Sequence, residues 1–436
     1  MAGAGFAGKR VIAGIGMAGA IMPGVARAAA FDVDHAAARY LALLSPEARA
    51  RSDAYFDGQQ WLGVVSSLIT VVLCWLVLRS GLLVRLRDAM RRQGWRPWVI
   101  MVAVSATFLA CLLVLELPWS IYVDYWRERR FGLMNLGFGG WLSEQAIAAL
   151  ITLLVGPLVL TVINAVMRGF PRLWWLVGAG AVGVMIALFS LVAPLFILPL
   201  FNSSHDLAPG PLRNRIVAMA NAQHIPADHI DVFDASRQSD RISAHVAGLG
   251  PTVRISLTDN LVNRTGPAET VAVVGHEMGH YVLHHVWRMI GFMTLLAGLQ
   301  FWLITRLAPM AIALGGRRHG VRGLDDPAAL PVLVGLFSAI SLLFLPVTNT
   351  YVRSAENDAD VFGLDLAREP DGFARAAMQV ATFRKLAPPA WEEALFYDHP
   401  SGRTRVTRAM QWKKDHVPGA TEVQPAPLPA APPSAP

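Results

Sequence analysis

Six long apolar runs constrain this chain more than any other feature. They cover approximately residues 61–80, 98–118, 144–167, 173–198, 288–312 and 329–348. Each offers about 20 mostly apolar residues, the length of helix that crosses roughly 30 Å of hydrocarbon. One such run could be the buried helix of a soluble protein, but a chain of 436 residues cannot cover six of them. Hydrophobic residues make up 54% and charged residues 16%. Soluble globular proteins carry about 25% charged residues, so much of this surface is expected to face lipid. The formal net charge is +7. A nucleic-acid binder would gather basic and aromatic side chains on a polar face. Here the arginines flank apolar runs instead, so membrane lipid is the expected partner and nucleic acid is not. Cys74 and Cys111 lie inside apolar segments and read as buried free thiols rather than a disulfide framework.

Arginine placement gives an orientation. Arg79, Arg85, Arg87, Arg91, Arg92 and Arg96 follow the first run. Arg168 and Arg172 lie between the third and fourth, and Arg317, Arg318 and Arg322 between the fifth and sixth. If the runs alternate, these three connections share one side, and the positive-inside rule makes it cytoplasmic. Residues 1–30 point the same way. Lys9 and Arg10 precede an apolar stretch from Val11 to about Val25, followed by Ala28, Ala29 and Ala30. That is the layout of a secretory signal peptide; an uncleaved first membrane helix is the alternative. The expectation is a bacterial inner-membrane protein whose polar domain faces the periplasm. Trp174 and Trp175 read as interfacial anchors.

The polar part begins after the fourth run. Leu212 to Ala222 reads as an amphipathic helix, His229 to Phe233 and Val253 to Leu257 as strands, and His245 to Leu249 as a third strand or loop. The divisions are therefore 1–30, a signal peptide or first membrane helix; 31–198, a membrane region with four spans; 199–287, a polar domain; 288–350, two further spans; 351–417, the C-terminal part of that polar domain; and 418–436, a Pro/Ala-rich tail expected to be disordered. The fold class is mainly α: a polytopic helical membrane protein with an inserted small α+β domain.

Chemistry enters at Gly275–His280, which reads Gly-His-Glu-Met-Gly-His within a proline-free stretch of helical periodicity. On a helix, His276 and His280 are one turn apart and share a face. Two imidazoles so placed can bind one Zn²⁺, and Glu277 sits beside the ion, where it can take a proton from water. Zinc brings the pKa of that water towards about 7, so a carboxylate is base enough. A catalytic zinc takes three protein ligands and keeps a position open. A third histidine six residues after the second is absent, since Val286 stands there. Just past the sixth run, Glu356 and Asp360 lie one helical turn apart, with Arg353 three residues before Glu356. Glu356 is expected as the third ligand, and Asp360 as the acceptor that fixes the tautomer of a ligating histidine. His284 reads as a polar end residue of the zinc helix rather than a ligand.

Beyond the zinc pair, the chain resembles the type I CAAX prenyl protease family of membrane gluzincins. The resemblance is carried by Leu117–Tyr122 with Glu128 and Arg130-Phe131-Gly132; by Ala193–Phe196, Leu200–Asn202 and Pro211–Arg213; by Gly248–Gly250 and Arg254–Asp259; by Asn349, Arg353, Glu356, Ala359 and Asp360; and by His399-Pro400 with Arg405. It extends over about residues 45 to 415. It implies that His399 faces the scissile carbonyl and stabilises the oxyanion, and that Arg405 holds an acidic group of the zinc shell. It also implies that Asn349 and Arg353 support that shell, and that Ser243, Ala244 and His245 belong to a strand that pairs with peptide. The family commonly has Ser-Asn-Ala where this chain has Ile242-Ser243-Ala244, but pairing through the backbone does not need the asparagine. The family's first membrane helix is replaced here by the signal-like segment.

The resulting expectation is a zinc metalloendopeptidase, with one Zn²⁺ per chain, that cuts membrane-associated peptides or proteins. A heat-shock-type membrane quality-control protease is the close alternative. A non-catalytic scaffold or transporter is the alternative of another class: a transporter would place charges mid-span, where Glu116 and Glu144 lie near span ends instead, and a silent scaffold would carry a broken motif, where the core residues are intact.

Overall fold

The structure is a computed structural model that describes residues 31–248 and 252–428. The signal-like segment 1–30 lies outside the described residues, as does 429–436 of the tail.

After α1 (Val33–Leu41), six helices among the described residues are long and apolar enough to cross a membrane. They start from α2 (Pro46–Ser80), whose N-terminus is capped by the Ser45 hydroxyl and whose end is set by Gly81 at φ 65°. The short α3 (Leu82–Arg92) leads to α4 (Pro97–Ser120). Helix α4 continues through a π-helical stretch, Ile121–Arg127, into α5 (Glu128–Arg130). The next two are α6 (Phe138–Gly169) and α7 (Trp174–Val192). A second π stretch, Ala193–Ile197, ends α7 at Pro194, so the chain leaves α4 and α7 by π turns near a proline. Side chains such as Leu68, Val72, Leu154, Leu158, Val184, Leu188 and Leu343 are exposed on the helix surfaces, as lipid contact requires.

The polar domain follows. It is built from β1 (Ser204–Asp206), α8 (Pro211–Ala222), β2 (Ile230–Phe233), β3 (Ala244–Ala247), β4 (Arg254–Thr258), α9 (Asp259–Arg264) and α10 (Pro267–Val282). The sheet order is β1-β2-β4-β3, with only the β2–β4 pair parallel. Strand β3 is therefore an edge. Ile230, Val232, Ile255, Leu257, Val271, Val274 and Met278 pack α10 against the sheet. The last two long helices are α11 (His285–Ala311) and α12 (Leu330–Ala367). Then α13 (Pro370–Val380), α14 (Ala390–Phe396) and α15 (Gly402–His416) close over the other side of α10, where Tyr40, Ala272, Phe373, Met378, Val406 and Met410 form a second core.

Three features differ from the sequence reading. The run 329–348 and the acidic stretch after it are one continuous helix of 38 residues, about 57 Å long, so a membrane span carries Glu356 and Asp360 directly into the polar domain. Trp174 is buried against Phe301 rather than anchored at an interface. The tail also differs where it is described. Glu422 contacts His35 and Arg39, Pro425 is buried, and Leu428 packs against the second core, so 418–428 lies on the body.

The three arginine-bearing connections gather at one end of the bundle. Arg87 is buried, pairs with Asp326 and reaches the Gly320 carbonyl at 3.2 Å. Asn164 donates to the Asp325 carbonyl at 2.9 Å. The polar domain sits at the other end, held partly by Arg241, which donates to Glu128 at 2.7 Å and to the Tyr55 hydroxyl at 2.9 Å.

Candidate active site

Small residues let α10 and α12 touch backbone to backbone. A Cβ on Gly363 would stand 2.8 Å from the His276 amide nitrogen, and one on Gly279 would stand 3.2 Å from the Cα of Ala359. This close approach brings Glu356 up to the histidine pair. His276 Nε2 and His280 Nε2 are 3.1 Å apart. Glu356 Oε2 is 3.2 Å from His276 Nε2, and Glu356 Oε1 is 3.4 Å from His280 Nε2. Glu356 Oε2 is buried and makes no hydrogen bond among the described residues.

Those spacings test whether a metal fits. Ligand atoms about 2.0–2.1 Å from a tetrahedral zinc are separated by about 3.3–3.4 Å. The edge between the imidazoles, 3.1 Å, and the edges from each imidazole to its nearer Glu356 oxygen, 3.2 Å to Oε2 and 3.4 Å to Oε1, are of about that size. Glu356 Oε2 is buried without a donor and faces His276 Nε2, while Oε1 faces His280 Nε2; a divalent cation completes such an arrangement. The residues present therefore fit the ion.

The surroundings orient each group. His276 Nδ1 lies 2.9 Å from Asp360 Oδ1. Asp360 is fully buried and accepts two hydrogen bonds from Arg405, at 3.0 and 2.6 Å, and one from Arg408 at 2.8 Å. Arg408 is one turn beyond Arg405 and was not singled out in the sequence, although its spacing on α15 is the signal that could have found it. His399 Nε2 is 3.3 Å from Glu356 Oε2, and His399 Nδ1 is 2.9 Å from Asp398 Oδ1. Burial pushes the Asp398 carboxyl up, but the His399 hydrogen bond and the charges of His399 and Arg384 outweigh it and hold the group below its usual range. Asn349 and Arg353 do not touch the metal-facing atoms in any contact described. Asn349 donates to the Leu395 carbonyl at 2.9 Å, and Arg353 donates to the carbonyls of Glu393 and Tyr397. They pin the end of α14 and the residue after it, two to six residues before His399.

A cavity of about 280 Å³ opens beside the cluster, and Ser243, Ala244, His276, Glu277, Phe383, His399 and Arg405 help line it. Burial pushes the Glu277 carboxyl above its usual range, against the pull of His276 and His280. Ser243 and Ala244 lie on this side of the sheet. The side chain of His245 does not: it lines a separate cavity with Asp231, Phe233 and Arg254, opposite its neighbour Ala244 as the two-residue alternation of β3 requires, while Ser243 precedes the strand.

An edge strand beside a pair of imidazoles, an acid and a free carboxylate, carried on membrane helices, defines an integral-membrane metallopeptidase. Comparison with known proteins gives the lineage. Residues 208–413 match the family described as Peptidase family M48, and residues 34–203 match the one described as CAAX prenyl protease N-terminal, five membrane helices. The described part of that second region holds four candidate membrane helices. The chain is 26% identical over 373 residues to "Uncharacterized metalloprotease YhfN" of Bacillus subtilis, covering 84% of this chain and 86% of that one. It is 32% identical over 213 residues to "CAAX prenyl protease 1" of Saccharomyces cerevisiae, 47% of each. In fold it is similar to the crystal structure of S. mikatae Ste24p, with a TM-score of 0.69, 21% identity, and coverage of 87% of this chain and 96% of that one. The chain belongs to the type I CAAX prenyl protease family of membrane metallopeptidases. These matches lend no support to a heat-shock-type protease, a scaffold or a transporter.

Proposed function

We propose that this metallopeptidase is zinc-dependent and cuts extended, membrane-associated peptides at the cluster formed by His276, His280 and Glu356. The observation that carries the reading is the set of 3.1–3.4 Å edges between those three side chains, which suits one Zn²⁺ per chain. When bound, the ion supplies Lewis acidity and lowers the pKa of water towards about 7.

The chain's own residues do the rest. The peptide adds to the free edge of β3 at Ser243, Ala244 and His245 through backbone hydrogen bonds. Of these, Ser243 and Ala244 face the cavity, and His245 contributes its backbone. Glu277 takes the proton from the attacking water and delivers it to the leaving amine. His399, held with Nδ1 2.9 Å from Asp398 Oδ1, presents Nε2 towards the developing oxyanion. Asp360 holds the tautomer of His276, and Arg405 and Arg408 hold Asp360. Asn349 and Arg353 position the loop that carries His399.

The relatives named CAAX prenyl protease make a prenylated C-terminal peptide one candidate substrate. The test is to compare peptides released from membrane fractions by the wild type and by Glu277→Gln. Products specific to the wild type are expected, with turnover falling roughly 10²–10⁴-fold in the variant and metal content unchanged. Equal product from both would contradict the reading.

The arginine-rich end of the bundle supports a cytoplasmic placement for that end, and so a periplasmic polar domain in a bacterial inner membrane. A reporter fused after residue 436 should be active outside the cytoplasm; activity confined to the cytoplasm would reverse the orientation.

A further inference from the structure

We propose that His285 is a positioning residue for the metal-binding histidine His280, an inference that rests on the zinc reading above. Helix α10 ends at Val282, and α11 begins at His285. The reversal between them is made by His284 at φ 56° and ψ 34°, a left-handed conformation uncommon for any residue but glycine. Backbone held there needs surroundings that fix it, and such positions gather at functional sites. Its effect is to fold the next side chain back over the last turn of α10. His285 is buried, 5% exposed, and its Nδ1 lies 2.9 Å from His280 Nδ1, with the rings edge to face at 5.0 Å.

Proton placement follows from this geometry. Nε2 of His280 is the nitrogen that faces His276 and Glu356, so it must be bare to bind a cation. The single proton of a neutral imidazole then sits on Nδ1, which donates to His285. His285 must accept on Nδ1 and therefore carries its own proton on Nε2. That Nε2 is buried without a partner among the described residues. A buried donor left unmade costs stability, so packing alone would favour an apolar side chain here. The two metal histidines are thus held by different chemistry: His276 faces a carboxylate, and His280 faces a neutral imidazole. The second orients its ligand without adding negative charge to a site that already holds Glu356, Glu277 and Asp360.

The test uses full-length protein in detergent, stripped of metal. Zn²⁺ affinity is measured by chelator competition, and the visible spectrum of the Co²⁺-loaded protein reports ligand geometry. His285→Phe keeps bulk and removes the acceptor; zinc should bind roughly 10–100-fold more weakly and the Co²⁺ bands should move. His285→Leu should do the same if Phe proves too large to fold. His285→Asn, whose amide oxygen can stand where Nδ1 stood, should restore affinity to within a few fold. Wild-type affinity and spectrum in both the Phe and Leu variants would overturn the proposal. If the wild type itself bound no zinc, or His276→Ala bound as well as the wild type, the zinc reading would fail instead.

Discussion

Helices α6 and α10 are both rich in apolar residues, yet they use them in opposite ways. Only 6% of the most apolar 18 residues of α6 is buried within the protein, and Leu150, Leu154 and Leu158 stand outward. In α10, Val271, Val274 and Met278 are wholly buried, and glycines admit a neighbouring backbone. The first pattern answers to a solvent, the hydrocarbon, and asks little of shape. The second answers to particular neighbours at particular distances. Change should therefore be tolerated along the bundle's outer faces and punished where α10 meets α12.

The largest effect should come from Asp360→Ala. It removes the group facing His276 and leaves Arg405 and Arg408 without their carboxylate, a loss of roughly 3–5 kcal/mol for breaking a buried pair. Thermal unfolding in detergent, with and without zinc, would measure it; an unchanged midpoint would mean the buried network matters little. Gly363→Ala should follow, since its Cβ would press on the His276 amide at 2.8 Å. A strained contact of this kind costs about 1–3 kcal/mol, and activity should fall with it because the ligands separate. Normal activity there would deny that the close approach sets the site. Leu154→Ala, on the lipid face, should change stability by less than about 0.5 kcal/mol and leave proteolysis alone. A large loss would place that face in a protein contact and blur the contrast.

The same contrast explains what could be read from the sequence. Six spans were legible because hydrocarbon imposes length and apolarity without regard to partners. His276, Glu277 and His280 were legible because a helix fixes their spacing locally. Glu356 and Asp360 could be picked out by their one-turn spacing as a metal ligand and the acceptor for a ligating histidine, but the unbroken run of α12 through Pro346 could not be told from two helices. His285 escaped because its meeting with His280 depends on one left-handed residue, His284, which no periodicity announces. Arg408 escaped because an arginine on a polar helix is ordinarily solvated. His245 was grouped with Ser243 and Ala244 although strand alternation sends its side chain to the face opposite Ala244. The short β1, three exposed residues, offered no apolar signal at all. The tail up to Leu428 has a composition that suggests disorder, while its docking rests on a few contacts such as Glu422 with His35.

The central claim is that one metal ion is held jointly by α10 and α12. Metal analysis of purified wild type, Glu277→Gln and Glu356→Ala under limiting zinc tests it most directly. The account predicts about one zinc per chain in the first two and little or none in the third. Full occupancy in Glu356→Ala, or none in the wild type, would contradict it.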